Sequence, residues 1–258
     1  MTLSVDITLL LPALLAGLLV SFTHVPFGQR VLQRGIIFLD LAVAQVAGLG
    51  LIVAYGAGLQ PGGWLVQLIA MTAAVMGVLL LNYTEHRWPQ IQEALIGSLF
   101  VIASSLSILL LATNPHGGEA LKELLVGQIL WVSYQQLVPV MILYGVVLSL
   151  WFGLRGRLNS LHFYLLFALT ITASVQLVGV YLVFASLILP ALAVRQATTF
   201  KLAYGYLVAI SGYILGLLLA AILDLPAGAM IVCSLAVCAI FMAWLINMEQ
   251  KRISKRVY

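Results

Sequence analysis

The sequence has 258 residues, of which 63% are hydrophobic and only 8% are charged, and its mean hydropathy is +1.14. Soluble domains carry about 25% charged residues, so 12 basic and 8 acidic residues are too few for a water-soluble surface. The same composition excludes a disordered chain, because disordered segments are poor in apolar residues. The sequence therefore predicts an all-α, polytopic integral membrane protein, with residues 1–258 forming a single transmembrane domain.

Nine apolar segments follow one another along the chain, each close to the roughly 20 residues that a helix needs to cross a bilayer. They are predicted near residues 7–25, 36–56, 63–83, 94–112, 125–152, 161–178, 179–196, 202–223 and 228–247. The sixth and seventh share one uninterrupted apolar run, in which Gly179 is the only plausible break. An eight-span arrangement, which merges 161–196 into one element, is the alternative.

The basic residues predict the orientation. The nine-span arrangement places all but one of the 12 Lys and Arg residues on one side of the membrane, and only Lys122 falls on the other. Cytoplasmic loops carry the excess of Lys and Arg, which predicts an external N-terminus, a cytoplasmic C-terminus and a multi-pass protein of the cell membrane. This distribution of basic residues accounts for the net charge of +4. The expected partner is therefore a lipid membrane, and no nucleic-acid partner is expected.

Asp40 is the one acidic residue that falls clearly inside a predicted span. An aspartate within a membrane helix costs about 2.5–3.5 kcal/mol on insertion scales and is a candidate functional residue. Gln45 follows five residues later, offset by roughly 140° around the helix. Two interpretations stay open: Asp40 pairs with Arg34 or an adjacent backbone group, or it lines a central pathway as a cation ligand with Gln45 as a secondary oxygen.

A second candidate metal site lies in the predicted external segment before the fifth span, where His116, Glu119 and Glu123 occur within eight residues. Imidazole and carboxylate groups suit a zinc-like ion. Because Gly117 and Gly118 interrupt any helix there, a solvated turn is the alternative.

The motifs of common enzymes and ATPases are missing from the sequence. It contains no GxxxxGK[ST] nucleotide-binding loop, no HExxH and no GxSxG, each of which marks a specific catalytic arrangement. The chain is therefore predicted not to be an enzyme, and any ATP hydrolysis that drives it would belong to a separate subunit.

Four segments, spread along most of the chain, match the motifs of one transporter family in the family's order. They are Thr23-His24-Val25-Pro26-Phe27-Gly28 running through Arg34 to Asp40, Glu93-Ala94-Leu95-Ile96-Gly97, Gly127-Gln128-Ile129-Leu130-Trp131-Val132-Ser133, and 174–191 with Gly179 and Leu187-Ile188-Leu189-Pro190-Ala191, continued by Asp224-Leu225-Pro226-Ala227-Gly228. With these motifs the chain resembles the ABC-transporter permeases of the zinc, manganese and iron uptake family.

The resemblance implies the membrane subunit of an ATP-driven transporter that imports divalent metal ions by alternating access, with Asp40 lining the pathway. The metal ion is then the transported substrate, and no covalently bound cofactor is implied. The implied partners are a second copy of the permease, a cytoplasmic ABC ATPase dimer and an external metal-binding protein. Arg155 and Arg157 are the residues expected to contact the ATPase.

The chain departs from the family pattern at two places. The family commonly has a histidine four residues after the aspartate, where this sequence has Ala44, and it usually has a longer cytoplasmic segment where this sequence has only residues 153–160. These departures motivate the alternative of a permease-like protein no longer coupled to a standard ATPase, acting as a secondary transporter or as a non-transporting partner.

Overall fold

The structure is a computed structural model that describes residues 7–59, 63–111, 125–154 and 159–257, with side chains between residues 10 and 250 of those ranges. In this part of the chain nine α-helices have at least 14 residues, and no strand occurs, which confirms the all-α prediction. The helices are α1 (Ile7–Arg34), α2 (Leu39–Gly56), α3 (Trp64–Arg87), α4 (Gln92–Leu111), α5 (Tyr134–Gly153), α6 (Ser160–Val178), α7 (Val180–Ala193), α8 (Lys201–Leu223) and α9 (Ala227–Val257).

Eight of these nine helices are long and apolar enough to cross a membrane, and the exception is α7. Its 14 residues span only about 21 Å at 1.5 Å per residue, which is less than a hydrocarbon core of about 30 Å. The break before α7 lies at Gly179, as predicted, with a φ of 80° and a ψ of 163°. The long apolar run is therefore two helices, although the second ends at Ala193 and is shorter than predicted.

The first helix is longer than the sequence predicted, because α1 continues through Pro26 to Arg34. A proline inside a helix cannot donate a hydrogen bond to the carbonyl four residues earlier, which here is the carbonyl of Phe22. The Tyr206 hydroxyl of α8 donates to that oxygen at 3.2 Å. The lost backbone bond is thus replaced from another helix, and α1 does not need to end at the proline.

The helices alternate in direction, so that the bundle has two distinct ends. Contacts between Arg34 and Glu85, Arg34 and Ser160, and Gln29 and Lys201 bring together one end of α1, α3, α6 and α8, which we call the basic end. Arg30, Arg34, Arg87, Arg195 and Lys201 all lie there, as the nine-span arrangement requires. At the other end, called the glycine end, Gly127 and Gly179 meet and Gly228 opens α9.

The central helices are α2, α6 and α7. Most residues of each are buried inside the protein, whereas α4 buries only four residues and α5 only three. Helix α2 packs on α3 through small residues, since a Cβ on Gly50 would lie 2.9 Å from the Ala73 Cβ. Small residues at such interfaces let membrane helices approach closely. This arrangement carries Asp40 into the interior of the bundle.

Candidate functional site

Asp40 lies in the first turn of α2 and is only 1% exposed. Neither of its carboxylate oxygens has a hydrogen-bond partner among the described residues. The backbone N–H groups of Asp40 and Leu41 in the same turn interact favourably with the carboxylate, and the positive end of the helix dipole favours a carboxylate there. Asp40 is therefore a buried carboxylate that has no side-chain partner among the described residues and can accept a cation or a proton.

Arg34 does not pair with Asp40, so the predicted ion pair between these two residues is wrong. The Arg34 guanidinium instead donates to the Ser160 hydroxyl at 3.0 Å, approaches Glu85 at 3.9 Å and lies 4.6 Å above the ring centre of Phe163. Ser160 in turn donates to Glu85. These side chains join α1, α3 and α6 at the basic end, and among the described residues the Asp40 carboxylate has no ion-pair partner.

Gln45 is also buried in α2, but it lies on a different side of the helix from Asp40. Five residues separate the two side chains by about 7.5 Å along the axis and by roughly 140° around it. Ala44, one turn after Asp40, shares the aspartate's side of the helix and is buried as well. The structure therefore does not place Asp40 and Gln45 together around one ion.

Glu93 is a second carboxylate close to the start of α2, and sequence reasoning did not include it among the site residues. Its Oε1 accepts the backbone N–H of Phe38 at 3.2 Å, and its Oε2 is buried with no partner in the described part of the chain. The Phe38 ring is stacked on Phe184 of α7 at 6.5 Å between centroids. An acidic residue at the opening of an apolar segment was the available signal.

An apolar groove of about 590 Å³ runs between α2, α3 and α4. Among its lining residues Thr72 is the only one with a polar side chain, and Val46 and Gly50 form the α2 side. Asp40 is not part of this lining. The groove therefore offers no carboxylate or imidazole ligand to an ion, and its chemistry suits an apolar occupant such as a lipid chain.

Several predicted site residues lie outside the described residues. These are the candidate external metal ligands His116, Glu119 and Glu123, and the predicted ATPase contacts Arg155 and Arg157. Within the described ranges, no group of three or more His, Cys, Asp or Glu residues is arranged to hold a metal ion. A resident metal centre of that kind is therefore not found in this part of the protein.

The connection between α7 and α8 presents an exposed aromatic residue at the basic end. Phe200 has a left-handed backbone with a φ of 54° and is 72% exposed. The connection is held from both sides, because the Lys201 ammonium donates to the Arg195 carbonyl at 3.4 Å and the Gln250 amide donates to the Gln196 carbonyl. Sequence reasoning missed this surface, although a phenylalanine between two spans was a visible signal.

Three comparisons with known proteins cover almost the whole chain. The chain is 25% identical to the high-affinity zinc uptake system membrane protein ZnuB of Haemophilus influenzae, with 95% of this chain and 99% of the relative covered. It is 23% identical to an uncharacterized membrane protein in the ycf23-apcF intergenic region of Cyanophora paradoxa, with 96% and 87% of the two chains covered. Its fold is similar to PsaBC from Streptococcus pneumoniae in complex with Fab, with a TM-score of 0.71 at 19% identity over 91% and 90% of the two chains.

The family comparison agrees with the resemblance predicted from the sequence motifs. The model of the ABC 3 transport family matches residues 6–163 and 152–246, and these matches include all four motif segments. The eight apolar helices of spanning length are those of a multi-pass protein of the cell membrane. The chain belongs to the ABC 3 transport family.

Proposed function

We propose that this chain is the membrane subunit of an ATP-driven importer of divalent metal ions, with Asp40 as a ligand on the pathway. The observation that carries the proposal is the Asp40 carboxylate, which is 1% exposed and has no hydrogen-bond partner among the described residues. Ionisable groups in membrane helices mark ion pathways. The similarity to the zinc uptake protein ZnuB supports a metal ion as the substrate.

The donor atoms on α2 favour transient binding. A carboxylate alone is a weaker site than the sets of several ligands that hold structural metals, and α2 contains no histidine. A transported ion must be bound well enough to enter and weakly enough to leave. A single buried carboxylate therefore suits a site that the ion passes rather than one in which it stays.

The basic end is proposed to face the cytoplasm, because cytoplasmic loops carry the excess of Lys and Arg. An ATPase dimer would then contact this end, where Arg195 and Phe200 form an exposed connection and where the loop with Arg155 and Arg157 joins α5 to α6. The glycine end would face an external metal-binding protein. The pairing of two permease copies and the external ligands His116, Glu119 and Glu123 stay predictions.

Metal uptake by cells that express the chain with its ATPase tests the role of Asp40. Asp40→Asn removes the charge with almost no change of shape, so we expect uptake of Mn²⁺ and Zn²⁺ to fall at least about tenfold, the loss of about 1.4 kcal/mol of interaction. Asp224→Asn is the matched control, because Asp224 is an exposed carboxylate with a left-handed backbone that asparagine tolerates. Unchanged uptake in Asp40→Asn, at equal amounts in the membrane, would exclude Asp40 from the pathway.

The alternative of a permease-like protein without a standard ATPase makes a different prediction for the same cells. It is motivated by the short connection between α5 and α6, which end and begin at Gly153 and Ser160. Uptake that persists with an ATPase unable to hydrolyse ATP would establish this alternative. Under the proposed function, that ATPase variant abolishes uptake.

A further inference from the structure

His24 is a buried histidine that the proposed pathway residues do not include. It lies in the middle of α1 and is fully buried, together with Ser21 and Thr23 of the same helix. Its Nε2 atom has no hydrogen-bond partner in the described part of the chain. A polar atom that is buried without a partner costs free energy, so this nitrogen calls for an explanation.

The hydrogen bonds of the other ring nitrogen assign the tautomer. Nδ1 lies 2.9 Å from the Val20 carbonyl oxygen and 3.0 Å from the Thr23 hydroxyl, and that hydroxyl itself donates to the same carbonyl at 3.1 Å. A carbonyl oxygen can only accept a hydrogen bond, so Nδ1 carries the proton. The Nε2 atom then holds a free lone pair inside the protein.

Two glycines of α1 show which helices lie against the face of α1 that carries His24. A Cβ on Gly17 would meet the Tyr213 ring of α8 at 2.3 Å, and a Cβ on Gly28 would meet the Leu187 carbonyl of α7 at 1.9 Å. Positions 17, 21, 24 and 28 share one helix face, because neighbours on a face are three or four residues apart. Ser21 and His24 therefore face the seam that α1 forms with α7 and α8.

The opposite wall of this seam is also polar. The Ser186 hydroxyl of α7 and the Tyr213 hydroxyl of α8 form a hydrogen bond of 2.8 Å, and both residues are buried. Ser186 precedes Leu187, which contacts α1 at Gly28. The seam thus contains one imidazole with an unpartnered nitrogen and the hydroxyl groups of Ser21, Ser186 and Tyr213, whose oxygens keep lone pairs although the serine hydroxyls donate to the Gly17 and Leu182 carbonyls.

We propose that His24 is a ligand for a divalent transition-metal ion in the seam between α1, α7 and α8, with Nε2 as the donor atom. The proposal rests on the proposed function of the chain as a metal permease. Neutral imidazole is the commonest metal ligand in proteins, and metal-bound histidines typically donate the other N–H to a carbonyl, carboxylate or water. His24 has this arrangement toward Val20.

Pulsed electron paramagnetic resonance of Mn²⁺ bound to the purified full-length chain tests this assignment. A coordinated imidazole produces nitrogen hyperfine modulation, which we expect in the wild type and not in His24→Gln. The glutamine amide is similar in size and can still donate to Val20. His86→Gln is the matched control, because His86 is exposed at the basic end, and it should keep the modulation.

Three results of this measurement would overturn the proposal. The first is nitrogen modulation that persists in His24→Gln. The second is modulation that is lost in His116→Gln instead. The third is Mn²⁺ that binds to the wild type without any nitrogen modulation. The last result would mean that no imidazole nitrogen, and so not the Nε2 atom of His24, coordinates the ion. Uptake by the wild-type chain in the Asp40 experiment, together with any of these results, would leave the proposed function standing and refute only the His24 site.

A second test introduces a new metal-binding signal instead of removing one. His24→Cys places a thiol at the same position, and thiolates are soft ligands that select soft metal ions. We expect Cd²⁺ to produce a thiolate charge-transfer band in this variant above that of the wild type, which already contains Cys233 and Cys238. A Cd²⁺ titration identical to that of the wild type would contradict the proposal.

Discussion

The two ends of the bundle are held together by different kinds of contact. At the glycine end, backbone meets backbone: a Cβ on Gly179 would lie 2.4 Å from the Gly127 nitrogen, and a Cβ on Gly127 would lie 2.3 Å from the Val178 carbonyl. At the basic end, side chains meet side chains, through Arg34, Glu85 and Ser160. The same protein therefore uses steric fit at one end and polar side chains at the other.

This difference determines how each end responds to change. Backbone atoms in contact cannot rotate away, so the glycine end tolerates no added atom without movement of α6 or α7. Side-chain ion pairs and hydrogen bonds can break and reform by rotation, and each contributes only about 1 kcal/mol net. The basic end can therefore rearrange at small energetic cost, whereas the glycine end is expected to move as one body.

The largest expected effect is that of Gly179→Ala. The φ of 80° and ψ of 163° lie in a region that essentially only glycine adopts, and the added Cβ would also clash with Gly127. We expect the free energy of unfolding to fall by more than about 3 kcal/mol. Thermal unfolding of the detergent-purified chain measures this loss, and little folded protein in the membrane would agree with it.

Variants at two other glycines distinguish the cost of backbone strain from the cost of the steric clash. Gly35 has a φ of 71° but nothing within 4 Å of an added Cβ, and Gly97 is helical with open space around it. Gly35→Ala should cost about 1 kcal/mol from strain, and Gly97→Ala should stabilise by about 0.5–1 kcal/mol through helix propensity. If the free energy of unfolding of Gly179→Ala equalled that of Gly97→Ala, contact between backbones would not be what stabilises the glycine end.

An intermediate effect is expected for Glu85→Ala at the basic end. The substitution removes the acceptor for Ser160 and the partner of Arg34, while Arg34 keeps its bond to Ser160. We expect a loss of about 1–2 kcal/mol in the free energy of unfolding. Glu249→Ala, at an exposed glutamate, should change it by less than about 0.5 kcal/mol.

A double-mutant cycle of Glu85→Ala with Arg34→Ala would show whether the ion pair itself contributes. Residues in contact show a coupling of at least about 0.5 kcal/mol. Fully additive losses would mean that Ser160 and Phe163, rather than the ion pair, position Arg34. The basic end would then resemble the glycine end in depending on packing.

The smallest effect is expected for Tyr144→Phe and Tyr213→Phe, in the interior between the two ends. The Tyr144 and Tyr213 hydroxyls bond to Ser174 and Ser186, on either side of Gly179. Both serines also donate to carbonyl groups in their own helices, at 2.7 Å, so neither serine hydroxyl is left without a partner. Each variant should lose about 0.5–1 kcal/mol, measured by thermal unfolding.

Tyr83→Phe is the matched control, because Tyr83 is exposed to the surroundings of the bundle. Its free energy of unfolding should equal that of the wild type. A loss of several kcal/mol in Tyr213→Phe would mean that the Ser186–Tyr213 bond, and not the glycine contact, fixes the orientation of α7.

The sequence predicted the structure correctly at positions where a single residue determines the local conformation or burial. Gly179 is the one glycine in a long apolar run, and the structure breaks the run there. Asp40 is the only acidic residue well inside a predicted span, and it is buried. Both predictions depend on local chemistry, which a sequence contains in full.

The incorrect or missing predictions all depend on contacts between distant residues. The first span was predicted to end near residue 25, but the helix continues through Pro26 because Tyr206, on a different helix, supplies the missing donor. Arg34 was considered as the partner of Asp40, but its partners come from α3 and α6. The free atoms of His24 and Glu93 follow from which neighbours are absent, and spacing along the chain contains no information about that.

The hydrogen bond from Tyr206 to the Phe22 carbonyl has a consequence for how sequences of this kind diverge. An ancestor or descendant with alanine in place of Pro26 would regain its own helical bond, and the tyrosine would lose its acceptor. Conversely, loss of the tyrosine hydroxyl leaves the proline without compensation. The two positions are therefore expected to change together, with glycine retained at position 205, where a Cβ would lie 2.7 Å from Val25.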